Sequence, residues 1–211
     1  TVAIDYVVGQ IILLPGDVLT IIRELKNRDG LSITIEAIEE NEEIFKRTQS
    51  KQNSETIDVY FTIGCEYLHL CKYKKTLLLF QQMLQTAERI RDKNDIRLAH
   101  HCLANIYFVL GEMERTMGHV EQELVLLDDL IPLAICNQEA KALKEEKASA
   151  LILLGDLYDE RGDHKKAVEL YKKSGELFLQ DSVQSRLAMA YLNLGELSCA
   201  EDELRKCQEN S

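Results

Sequence analysis

The chain has 211 residues, 45% hydrophobic and 29% charged, enough for one ordinary domain or two small ones burying roughly 70% of the unfolded surface; this excludes a disordered polymer. Its net charge is −11, and an acidic surface repels phosphate backbones and anionic lipid heads. The densest basic clusters, Lys72, Lys74, Lys75 and Lys165, Lys166, are short, and no nucleic-acid motif occurs, so neither nucleic acid nor membrane is an expected partner.

Residues 1–54 read as an N-terminal helical extension. The run VVGQIILL is too short for a bilayer, which needs about 20 apolar residues. It also lacks the charged flank and cleavage site of a signal peptide. Val8-Gly9-x-x-Ile12, followed by Gly16, Ile21 and Leu25, forms a weakened version of a pattern that returns downstream. The opening TVAIDYVV suits a strand as well as a helix. Leu31, Ile35, Ile38 and Phe45 then mark a helix to about Thr48, and SKQNSE (50–55) is a polar connector. The chain opens on Thr1, which suits an excised piece of a larger protein.

From residue 55 the chain repeats itself. Ile63-Gly64-x-x-Tyr67 recurs as Leu103-Ala104-x-x-Tyr107, Leu154-Gly155-x-x-Tyr158 and Leu187-Ala188-x-x-Tyr191. In each copy a second column holds Cys71, Gly111, Gly162 and Gly195, a third Thr76, Thr116, Ala167 and Ala200, and a fourth Phe80, Val120, Tyr171 and Leu204. Small residues in the first and third columns let two antiparallel helices cross closely. Glycine between them allows a tight turn. The tyrosine and the fourth-column residue are expected to fill the gap to the next pair. One pair cannot bury its apolar face alone, so pairs stack into a solenoid.

This pattern resembles the tetratricopeptide repeat family. It covers residues 57–208, as four repeats at about 57–92, 97–136, 148–180 and 181–211, and the third copy is nearest the consensus. The opening tryptophan is replaced by Tyr60, His100, Leu151 and Gln184. The spacing stretches from the family's 34 residues to 40 between Gly64 and Ala104 and 51 between Ala104 and Gly155. These intervals imply longer helices: a second helix near Met113–Leu130, an interruption at Pro132, then a long first helix for the third repeat. Such long repeats look like those of spindle-orientation and receptor-clustering adaptors. The resemblance implies an all-α, right-handed superhelix of antiparallel helix pairs.

The stretch LLGDLYDERGDHKKAVELYKKS (153–174) crowds Asp156, Asp159, Glu160, Asp163 and His164 together. A hard cation would want converging oxygens on a flexible loop. Instead, Asp163 stands where the next helix needs an N-cap, and Lys165 and Lys166 disfavour a cation. In His100-His101-Cys102, helical neighbours point about 100° apart, which argues against a nucleophile–base pair. The chain has no Gly-rich phosphate loop, G-x-S-x-G or H-E-x-x-H, so no enzyme activity, cofactor or metal is expected. The six cysteines (Cys65, Cys71, Cys102, Cys136, Cys199, Cys207) form no C-x-x-C pair and read mostly as buried, reduced thiols. That points to an intracellular, cytoplasmic protein, with the nucleus also open to it.

In the family, the first helix of each pair lines a concave groove. The corresponding positions here include Phe61, Thr62, Cys65 and His69; His101, Asn105 and Phe108; Asp156 and Asp159; Arg186 and Asn193. The lining is aromatic and neutral early, acidic in the third repeat. It implies a non-catalytic adaptor that holds a protein partner, an extended or helical segment with apolar anchors and some basic residues. The Lys/Arg/Asn set that clamps a terminal carboxylate in chaperone adaptors survives only as Asn105 and Arg186. Two other readings stand beside it: a self-associating module, or the regulatory part of a larger enzyme or peptide-sensing regulator.

Overall fold

The computed structural model describes residues 54–177, 181–197, 199–202 and 205; the expectations for residues 1–53 lie outside them. Seven helices run in order: α1 (Ser54–His69), α2 (Tyr73–Ile90), α3 (Lys93–Val109), α4 (Met113–Leu130), α5 (Asn137–Glu160), α6 (His164–Leu177) and α7 (Asp181–Asn193). A 3-10 turn, Ile131–Leu133, separates α4 from α5. Residues 197 and 199–202 are helical again, and no strand occurs among the described residues. The fold is all-α, and the long α4, the break at Pro132 and the 24-residue α5 fall where the stretched spacing puts them.

Local chemistry sets the boundaries. Asp92 caps α3, its carboxylate accepting from the backbone N–H groups of Asn94 (2.9 Å) and Asp95 (3.1 Å). Asp163 caps α6 in the same way, accepting from Lys166 N–H at 3.3 Å. The second column supplies the turn that closes the first helix of each pair: Cys71, Gly111, Gly162 and Gly195 all have φ between 55° and 81°. At each, the following N–H donates to the carbonyl of the column tyrosine: Lys72 to Tyr67, Glu112 to Tyr107, Asp163 to Tyr158 and Glu196 to Tyr191, at 2.8–2.9 Å. This is a Schellman-type closure, which needs a left-handed residue. Cys71 takes that conformation without glycine's freedom. So does Arg91 (φ 64°), which ends α2 and turns the chain into α3.

The chain divides within α4, near Thr116 and Met117, into two compact units. In the first, α1 packs on α2 and α2 on α3. The buried face of α2 is Thr76, Leu79, Phe80, Met83, Thr86 and Ala87, the spacing of one helical stripe. Thr76 stands in for alanine because its hydroxyl bonds back to the Lys72 carbonyl, so nothing polar is left unmet. In the second unit, α5 packs on α6 and α6 on α7. Its core gathers Ile152, Ala167, Tyr171, Val183, Leu187 and Ala190, with a small satellite of Leu127, Leu130 and Leu143 under the Pro132 turn.

The first column meets the fourth within a pair. A Cβ placed on Gly64 would lie 2.4 Å from the Phe80 ring, and one on Gly155 would lie 2.5 Å from the Tyr171 ring. The fourth-column ring therefore fills the seam of its own pair, and it also belongs to a core cluster shared with the next helix: Phe80 with Ala99 and Leu103, Tyr171 with Val183 and Leu187. The tyrosine column also reaches its neighbour. Gln81 on α2 donates to the Tyr107 hydroxyl on α3 (3.2 Å), and Lys172 on α6 lies over the Tyr191 ring on α7 (5.4 Å). Within each of the first three repeats a cation just before the third column covers the same tyrosine: Lys75 on Tyr67, Arg115 on Tyr107 and Lys166 on Tyr158, at 4.6–5.3 Å.

The Cys71 turn yields a stability prediction. A side chain in the left-handed region costs roughly 1–2 kcal/mol, partly offset by the entropy glycine loses on folding. Cys71→Gly should therefore raise the stability of the first unit by about 0.5–1 kcal/mol, read as a higher urea midpoint at unchanged slope.

Candidate functional site

In the first unit the predicted lining divides by burial. Phe61 (4% exposed) and Cys65 (3%) belong to the core. Burial pushes the Cys65 thiol far above its ordinary range, so it is inert as a nucleophile. Thr62 is half-buried and spends its hydroxyl on the Asp58 carbonyl (2.8 Å), while His69 is exposed at the end of α1. On α3, Asn105 Nδ2 lies 3.0 Å from His101 Nε2, one turn apart. Asn105 is buried, whereas His101 and Phe108 are half-buried. His101, Phe108, Thr62 and His69 thus keep accessible surface.

In the second unit the predicted positions meet across helices. Asp156 Oδ1, on α5, accepts from Arg186 Nε on α7 at 2.8 Å and from the Tyr171 hydroxyl on α6 at 2.7 Å. Burial first, then the bond to Asp156, raises the Tyr171 hydroxyl far above its usual range, so it stays protonated as a donor. Asp159 Oδ1 lies 2.5 Å from His164 Nδ1 across the Gly162 turn. Of the acidic strip expected here, two of three carboxylates are thus engaged within the fold, and Glu160 is exposed. Asn193 is exposed, as are Met189 (57%) and Leu192 (42%) on the same helix. Arg186, Met189 and Asn193 recur at helical spacing and share one face.

Chemistry-bearing groups are otherwise dispersed. Among the described residues, no three His, Cys, Asp or Glu side chains converge as a metal site. No described helix is long and apolar enough to cross a membrane. No disulfide joins the five described cysteines. Cys71 and Cys136 are exposed, which corrects the expectation of burial for those two. Both sit at helix starts or turns: Cys71 in the left-handed turn, Cys136 as the cap of α5, its sulfur accepting from Glu139 N–H at 3.5 Å. Helical periodicity cannot place a residue that has left the helix.

Arg161, in the Gly162 turn, reaches the Met117 sulfur at 3.6 Å, and Ser174 bonds the Ala148 carbonyl at 3.0 Å in the α5–α6 seam. Neither contact is signalled by the repeat columns.

Sequence comparison identifies residues 148–177 as a tetratricopeptide repeat, the copy nearest the consensus. No curated protein matches the chain. Among solved structures, the fold is similar to a crystal structure of MamA (17% identity, 84% of this chain and 88% of that one, TM-score 0.63). It is also similar to MamA from Desulfovibrio magneticus RS-1 (17%, 92% and 95%, 0.63). The TPR-like repeats of a kinesin light chain-type protein from Podosopora anserina match to the same degree (18%, 89% and 89%, 0.63). At such identities the likeness concerns the fold alone: a helical solenoid of tetratricopeptide type, an architecture typical of interaction modules.

The perturbed carboxylate lies outside the stretch that drew attention in the sequence. Asp95, in the first turn of α3, is pushed up to about 6 by burial, with Asp92 and Asp58 adding to it. A raised carboxylate favours the protonated folded state. Its penalty is absent below the ordinary carboxylate range and complete above about pH 6. Discounted for the exposure of this half-buried group, Asp95→Asn should add about 1 kcal/mol at about pH 7 and nothing near about pH 3, below the ordinary value of 3.8. Urea titrations at the two pH values check both arms.

Proposed function

We propose that this chain is a non-catalytic scaffold that holds a segment of a partner protein against the first-helix faces of its repeats. The observation that carries the reading is the Asp156–Arg186 contact, which joins the predicted lining of the third and fourth repeats in one surface. Beside it, Met189, Leu192 and Asn193 leave apolar and amide groups open. Such a surface offers apolar anchoring next to polar groups that set orientation.

The engaged carboxylates refine the expected partner. Asp156 is held by Arg186 and Tyr171, and Asp159 by His164. A basic partner side chain would have to share or displace these bonds, so apolar contact at Met189 and Leu192 supplies the affinity and charge supplies orientation. On the first unit, Thr62, His69, His101 and Phe108 keep accessible surface. A protein-binding role accords with the typical use of the tetratricopeptide fold, and no part of the reading needs a cofactor.

The test compares the full chain with Met189→Glu, an exposed substitution, in affinity capture from cell extract. The account expects an unchanged thermal melt and loss of at least one partner that the unaltered chain retains. Equal recovery of every partner by both proteins would overturn the proposed surface.

A further inference from the structure

The face shared by α5 and α7 keeps open charge beside its bonded pairs, and that charge has one sign. Asp156 takes both of its bonds on a single oxygen: Oδ1 accepts from Arg186 Nε and from the Tyr171 hydroxyl. Asp159 likewise meets His164 through Oδ1. Among the described residues, no donor reaches the second oxygen of either carboxylate, and none reaches Glu160. Neither of those second oxygens is buried, and Glu160 is exposed. The cation of this face is already engaged, since Arg186 is held by Asp156. His164 adds charge only when protonated. Lys166, across the Gly162 turn, lies over the Tyr158 ring and beside Asp163.

Spacing decides which cation suits these oxygens. Asp156 and Glu160 lie one helical turn apart on one face of α5, with Asp159 beside them. Strung along a turn, they do not converge on a metal ion. An ammonium or guanidinium carries several donors and can bridge acceptors that are spread out. Apolar surface stands close by. Met189 follows Arg186 by three residues on α7, and Arg186 touches Asp156. The open oxygens and the exposed Met189 and Leu192 are therefore separated by on the order of 10 Å. A single short segment can cover both.

We infer that the occupant of this face is a protein segment that sets an aliphatic side chain on Met189 and Leu192 and, about one helical turn away, a Lys or Arg on Glu160 and the second oxygens of Asp156 and Asp159. This rests on the reading of the face as a partner surface and names what that surface selects. The incoming cation shares the carboxylates and displaces neither Arg186 nor Tyr171, so the bonds that position the face survive binding. An acidic segment meets its one nearby guanidinium already paired, and the chain's net charge of −11 repels it. Exposed charge guides encounter and orientation more than it holds the complex, and salt screens it.

Peptides selected on the full chain from a phage-displayed random library test this, with binding of the synthesised peptides read by fluorescence anisotropy. Those that depend on Met189, identified by their loss on Met189→Glu, should carry a Lys or Arg near an aliphatic residue. Their affinity should fall as salt rises from about 0.1 M to about 1 M. Glu160→Lys lies at an exposed position in the last turn of α5, where a cation suits the helix dipole, so the fold is kept. It should weaken these peptides at least about fivefold. Exchanging the peptide's Lys or Arg for Glu should restore binding to that variant and abolish it for the unaltered chain. Met189-dependent peptides that lack a cation, or that ignore Glu160→Lys, would overturn the inference and leave the surface standing. Absence of any Met189-dependent peptide would overturn the surface and the inference together.

Discussion

The structure depends on how closely two helices approach at one small residue. At Gly155 the α5 backbone lies so near the Tyr171 ring of α6 that a single added carbon would sit 2.5 Å from it, and Gly64 and Phe80 repeat the arrangement in the first unit. Interiors packed to crystal density transmit such a contact rather than absorb it. The seam fixes the spacing of the pair, and this fixes where the tyrosine two positions before the end of the first helix emerges. There it is met from the second helix of the preceding pair, by Gln81 at Tyr107 and by Lys172 at Tyr191. Tyr171 does two jobs in this scheme: its ring fills the seam, and its hydroxyl holds Asp156 in the position where Arg186 meets it.

The functional reading follows from that chain of contacts. A solenoid presents the same helix face from each repeat, and a partner reads several repeats at once. In the second unit, the Asp156–Arg186 pair registers two such faces against each other. An ion pair at partial exposure contributes little net stability; its value here is positional.

The repeat register was legible in the sequence because each column has a steric cause. Glycine at the turns, small residues at the crossings, the N-cap at Asp163 and the break at Pro132 all lie where those causes put them. A further regularity could have been read but requires the structure to interpret. Glycine in the first column goes with an aromatic fourth column (Gly64 with Phe80, Gly155 with Tyr171), and alanine with an aliphatic one (Ala104 with Val120, Ala188 with Leu204). The cation before the third column in three repeats is a second such signal. The lining was less legible. Counting positions from the small residue identifies a helix face, but not whether neighbouring side chains cover it. Cys65 and Asn105 are buried while Met189 stands open at the equivalent position, and Leu68 is buried where Leu192 stands open. Nor does spacing show that Asp156 and Arg186, 30 residues apart, satisfy each other.

The most direct measurement is a double-mutant cycle on the seam, using Gly155→Ala and Tyr171→Leu with stabilities from urea unfolding. With Tyr171 present, the alanine methyl has no room and should cost about 1–3 kcal/mol. With leucine in its place, the pair becomes the Ala–Leu combination of the fourth repeat. The same substitution should then stabilise the chain by up to about 1 kcal/mol, the helix-propensity gain of alanine over glycine. A change of sign between the two backgrounds is the predicted result. Equal effects in both backgrounds, adding without coupling, would contradict the account.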